Sequence, residues 1–109
     1  MVRTREQARQ VAAEAKVGLT DLYGPRLQAV YLFGSGARDE LGPDSDVDIA
    51  VVLDQVRNTF EEHERISDLG SRLSLDTGCV VSFFVTSRSA MDQGRFSIHR
   101  QIRSEGLPA

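Results

Sequence analysis

The chain has 109 residues, of which 40% are apolar and 27% charged, with a formal net charge of −3. This composition argues against a disordered chain, and the mild acidity argues against wholesale electrostatic binding of nucleic acid. The length suits one small domain over residues 1–109, so a bulky substrate would need a wall from another polypeptide.

The single cysteine, Cys79, leaves no internal disulfide and no thiolate cluster with metal-ligand spacing. The sequence has no bilayer-length apolar run, and its first residues lack the apolar core of a secretory signal, so a cytoplasmic protein is expected.

A helix is expected over residues 3–22, with Ala8, Ala12, Ala15, Leu19 and Leu22 on its buried stripe and Tyr23-Gly24-Pro25 ending it. Arg3, Arg5 and Arg9 form either a basic face or a solvated helix end. Leu27 to Phe33 reads as a buried strand that stops at Gly34-Ser35-Gly36. Glycine lets the backbone turn sharply and approach a ligand closely, and the amides of such a turn suit phosphate oxygens. A short helix over residues 37–41 would add a partial positive charge there, although Gly-Ser-Gly is also a common turn.

Gly42-Pro43-Asp44-Ser45 signals a turn, and a second strand follows over residues 46–53. On that strand Asp46, Asp48, Ala50 and Val52 share one face, while Val47, Ile49, Val51 and Leu53 share the other. Two carboxylates on one face repel each other unless a cation lies between them, and Mg²⁺ suits one or two carboxylates beside substrate phosphates. The plain alternative is a turn cap at Asp46 and a solvent-facing strand residue at Asp48.

The strings Phe33-Gly34-Ser35-Gly36-Ala37-Arg38 and Ser45-Asp46-Val47-Asp48-Ile49-Ala50-Val51 together resemble the DNA polymerase beta-like nucleotidyltransferase superfamily, and within it the minimal nucleotidyltransferase (MNT) branch. That resemblance implies an α/β fold, a small mixed sheet with flanking helices. It implies that Gly34 and Ser35 bind phosphates of a nucleoside triphosphate and that Asp46 and Asp48 hold Mg²⁺. Arg38 lies close enough in sequence to neutralise phosphate charge, with a surface pair to Asp39 or Asp44 as the alternative. It further implies ATP as substrate, AMP transfer to a hydroxyl of a protein partner, and an antitoxin role beside a helical HEPN protein. Homo- or hetero-oligomers are both open.

A second helix is expected over residues 59–75, started by Asn58 with Glu61 and buried through Phe60, Ile66, Leu69 and Leu73. His63 reads as a boundary residue of that helix rather than a metal ligand. A third strand follows over residues 79–86. Relatives of this family usually carry a third carboxylate on that strand, where this chain has Ser82. Serine neither acts as a base at neutral pH nor matches a carboxylate in holding a metal, and Asp76 falls in the turn before the strand. A catalytically impaired binding module that neutralises its partner by contact is therefore the alternative function.

The tail carries Arg88, Arg95, His99, Arg100 and Arg103 against Asp92 and Glu105, with a last helix expected over about 95–105. Its basic residues serve docking on the sheet, contact with triphosphate, or contact with an acidic or RNA-bound partner.

Overall fold

Thr4 and Gln7 close a reciprocal hydrogen-bonding box at the start of the first helix. The Gln7 N–H donates to Thr4 Oγ1 at 3.1 Å, and the Thr4 N–H donates to Gln7 Oε1 at 3.2 Å. Helix α1 (Arg5–Tyr23) follows and buries Ala8, Val11, Ala12, Ala15, Leu19 and Tyr23. Its last turn directs Tyr23 inward in place of the expected Leu22, which is 40% exposed.

A computed structural model describes residues 2–42 and 46–109. After α1 come β1 (Leu27–Phe33), β2 (Val47–Leu53), α2 (Thr59–Thr77), β3 (Val81–Ser87), α3 (Arg88–Gln93), α4 (Ser97–Glu105) and the short β4 (Leu107–Pro108). The expected helix over residues 37–41 is replaced by a 3-10 turn at Gly34–Gly36 followed by irregular turns. Gly36 passes so close to α1 that a Cβ there would sit 3.2 Å from the Ala8 Cβ. Asp39 Oδ1 accepts from the Arg5 N–H at 2.7 Å, so this loop is tied to the start of α1 instead of coiling into a helix.

The strands form one mixed sheet in the order β3-β2-β1-β4. β1 runs antiparallel to β2 and β4, while β2 runs parallel to β3 through α2, as a crossover connection requires. The first face of the sheet is apolar along β2 and the paired part of β1. Val30, Leu32, Val47, Ile49, Val51 and Leu53 pack there beneath α1 and α2. The two helices approach closely, because a Cβ on Gly18 would lie 2.6 Å from Leu69 Cδ1.

Helix α2 begins as expected, with Asn58 Oδ1 accepting from the Glu61 N–H at 3.2 Å. Its buried line is Glu62, Ile66, Leu69, Gly70 and Leu73, and Phe60 is 71% exposed, contrary to the sequence expectation. Phe60 precedes Ile66 by six positions and so lies about 120° around the helix, whereas Glu62 is one turn before it. The buried Glu62 carboxylate is satisfied by Arg26 Nη2 at 2.6 Å, Arg65 Nη1 at 3.1 Å and the Tyr23 hydroxyl at 3.3 Å. Burial, reinforced by the Glu62 charge, pushes the Tyr23 hydroxyl up to about 12.

The second face carries Phe33, Ala50 and Val52 beneath Met91 and Ile102 of α3 and α4. The sequence reading placed one helix in the tail, but Gly94, in a left-handed conformation, ends α3 and separates it from α4. His99 is 2% exposed and joins α4 to β3 through a 2.8 Å hydrogen bond between Nε2 and Thr86 Oγ1. Its Nδ1 accepts from the Phe96 N–H at 3.1 Å, so the neutral ring carries its proton on Nε2 and donates it to Thr86. Burial, together with nearby Arg95 and Arg100, holds this imidazole below its ordinary range. The β4 strand escaped the sequence reading because Leu107 and Pro108 are too few to show a pattern; they pair with Leu32 and Tyr31.

Candidate functional site

Phe33, the last residue of β1, pairs with Asp48 of β2. That register brings the Gly34-Ser35-Gly36 turn directly beside the carboxylate. Gly34 has φ of +72°, and a Cβ there would lie 2.5 Å from Asp48 Oδ2, so both the backbone conformation and the space require glycine. Within the turn the Gly34 carbonyl accepts from the Ala37 and Arg38 N–H groups at 3.1 and 3.2 Å, and the Ser35 carbonyl accepts from Glu40 N–H at 2.9 Å. Ser35 is half-buried and Arg38 exposed at the rim.

Asp48 is half-buried, and Asp46, just before β2, is exposed. Burial raises the Asp48 carboxyl above its ordinary range, the Asp46 charge raises it further, and Arg38 opposes both. This is the electrostatic state of a carboxylate pair that a cation would relieve. Among the described residues no group of three or more His, Cys, Asp or Glu is arranged to hold a metal ion. Two carboxylates nevertheless fit Mg²⁺, which keeps waters and takes substrate oxygens for its remaining positions.

The position read as that of the missing acid lies beside Asp48. Ser82 pairs with Asp48 across the parallel β2–β3 ladder and is exposed at the same end of the sheet. Asp76 is on α2, on the opposite layer. His63 is exposed on α2.

Arg38 corrects the sequence reading of its partners. It pairs with Glu40 through Nε at 3.0 Å and with Glu105 through Nη1 at 2.9 Å, not with Asp39. Asp44, the other expected partner, lies with Pro43 and Ser45 outside the described residues. Glu105 is the site residue that sequence reasoning missed: it stands 67 positions after Arg38, and no local pattern links them. Arg88, Arg100 and Arg103 of the tail contact the chain itself, with Arg100 Nη1 donating to the Gly94 carbonyl at 2.9 Å, Arg103 Nη1 to the Asp92 carbonyl at 3.4 Å and Arg88 lying 3.9 Å from Asp92.

Residues 22–101 match the model of the family described as Polymerase beta, Nucleotidyltransferase. The chain belongs to this nucleotidyltransferase family. A Methanocaldococcus jannaschii protein, provisionally named a protein adenylyltransferase, is 32% identical over 89 residues, covering 81% of this chain and 83% of the relative. A second such protein from the same organism is 30% identical over 73 residues, covering 67% of this chain and 73% of the relative. Among solved structures, a protein provisionally named a minimal nucleotidyltransferase superimposes with a TM-score of 0.59 at 23% identity, covering 94% of this chain and 95% of that one. A chain of a toxin–antitoxin assembly crystallised with AMP-PNP gives a TM-score of 0.60 at 21% identity, covering 87% of this chain and 69% of that one. A chain from a complex of tri-AMPylated Shewanella oneidensis HEPN toxin with MNT antitoxin gives 0.52 at 18% identity, covering 93% and 70%. The fold and the nucleotidyltransferase family expected from the Gly-Ser and Asp-x-Asp strings are thus borne out. No helix among the described residues is long and apolar enough to cross a membrane.

Proposed function

We propose that this chain is a Mg²⁺-dependent nucleotidyltransferase that moves AMP from ATP to a hydroxyl group of a protein partner, as the antitoxin of a HEPN/MNT-type pair. The observation that carries this reading is the Phe33–Asp48 register, which sets a glycine-lined turn against a carboxylate whose charge is disfavoured without a cation. The names of the relatives, protein adenylyltransferases and MNT antitoxins bound to HEPN toxins, support the choice of nucleotide and partner.

In this reading Asp46 and Asp48 hold the ion, and the Gly34–Ser35 turn with Arg38 receives the β- and γ-phosphates. The ion, when bound, supplies positive charge to the phosphates. The acceptor hydroxyl oxygen forms a bond to the α-phosphorus, the bond from that phosphorus to the bridging oxygen breaks, pyrophosphate departs and the hydroxyl proton passes to solvent. The half-buried wall at Asp48 limits water around the reacting groups, while the exposed rim at Asp46 and Ser82 leaves an approach for a protein surface. One small domain working in a reducing cytoplasm, with the acceptor brought by a second polypeptide, is part of the same proposal.

Ser82 favours a second reading, a nucleotide-binding or purely steric partner of a toxin, because no acid faces Asp48 across the ladder. The deciding experiment incubates the chain with labelled ATP, Mg²⁺ and the product of the adjacent open reading frame. Transfer by the wild type that falls at least about 100-fold in Asp46→Ala and Asp48→Ala supports the enzyme. Absence of label, with all three proteins still binding the partner, leaves the contact-only module.

A further inference from the structure

Glu105, the last residue of α4, points at the phosphate-binding end of the sheet instead of into solvent. Its two oxygens lie 3.1 and 2.9 Å from Arg38 Nη1, Gln101 Nε2 donates to Oε1 at 2.5 Å, and the Gly34 backbone amide faces the same carboxylate. Its side chain is only 18% exposed. Burial opposes its charge, but the hydrogen bonds from Arg38 and Gln101, the Arg38 charge and the Gly34 amide together hold it below its ordinary range.

A backbone amide at a glycine turn and a guanidinium are the donors that a phosphate oxygen would take. Here the guanidinium is already taken by a carboxylate, an anion like phosphate, with the Gly34 amide near it. We propose that Glu105 is a built-in anion standing where a terminal phosphate docks, so that triphosphate enters only as this carboxylate leaves Arg38. The inference rests on the nucleotide reading above for the identity of the competing anion.

The surrounding structure makes this an exchange of side chains rather than of helices. Ile102 is 2% exposed, His99 bonds Thr86, and Leu107 pairs with Leu32 just beyond the helix, so the backbone on both sides of Glu105 is fixed. Arg38 keeps its Nε contact to Glu40 when Nη1 is released, and so remains posed to receive the incoming anion. Because Asp46 and Asp48 add negative charge at the same end, removing Glu105 also lowers the repulsion that a polyphosphate meets.

The test titrates the full chain with inorganic triphosphate, with and without Mg²⁺, following the Gly34 amide resonance, for wild type, Glu105→Gln and Glu105→Ala. Both variants are expected to bind triphosphate about 5- to 10-fold more tightly, with the Gly34 amide displaced already in the free variants. Thermal denaturation accompanies the titration, since a merely structural clasp predicts a lower midpoint with unchanged or weaker affinity, which would overturn the proposal. Triphosphate binding by none of the three proteins overturns it as well, along with the phosphate role of the turn. Tighter triphosphate binding by the variants without AMP transfer by any of them counts against the transferase reading alone and leaves the competition standing.

Discussion

The two faces of one sheet have been put to opposite uses. Beneath α1 and α2 the strands present an unbroken apolar layer, with Ile49, Val51 and Leu53 fully buried. On the other face apolar packing stops short: Ala50 and Val52 are buried under α3 and α4, but the next residue along β2 is Asp48, beside Ser82. Alternation along β2 thus gives one strand a face that is apolar throughout and a face that is apolar at Ala50 and Val52 but polar at Asp48. The first face anchors the strand against the repulsion that the second tolerates.

The largest effect should come from breaking that anchor. Ile49→Ala is expected to cost about 2–5 kcal/mol in chemical denaturation, since it empties a fully buried site. Its neighbour Asp48→Ala should leave stability within about 1 kcal/mol of wild type while removing transfer, because the lost charge was unfavourable where it stood. Similar losses of stability in both variants would show that the division between faces is not energetic.

A smaller effect sharpens the contrast at the buried polar pair on the second face. His99 is held neutral in the folded state with its affinity for protons lowered, so the unfolded chain binds the proton first. Its contribution is fully present above about pH 6.5, the ordinary histidine value, and is lost as pH falls from there through the lowered folded-state value. In His99→Gln the unfolding free energy should drop less over that range than in wild type. Parallel curves from pH 7 to 5 would mean the ring is already protonated or solvated.

The smallest effect on stability belongs to Ser82→Asp. The site is exposed, so the fold should change by less than about 0.5 kcal/mol. An acid there would face Asp48 across the ladder and is expected to tighten Mg²⁺ binding, measured calorimetrically, and to raise transfer in the labelled-ATP assay. Weaker Mg²⁺ binding would remove Ser82 as the position of the absent acid.

Much of this was legible in order along the chain. The alternation from Val47 to Leu53 puts Asp48 on the face opposite Val47, Ile49, Val51 and Leu53 because side chains on a strand point to opposite faces by geometry alone. Asn58 marks the start of α2 because capping is local. Phe60 is apolar but out of phase with the buried line of α2, and the buried Glu62 has no local signal, since its partners Tyr23 and Arg26 come from elsewhere in the chain.

The sequence by itself determined the strand and helix pattern, the family, and the pairing of a Gly-Ser turn with two aspartates. Those features arise from residues within a few positions of one another, where backbone geometry decides. Only the tertiary structure decided that Phe33 lies opposite Asp48, that Ser82 faces the same carboxylate, and that Glu105 occupies Arg38. Strand register and the docking of α4 join residues far apart in sequence, and packing of the whole sheet, not any local preference, fixes them.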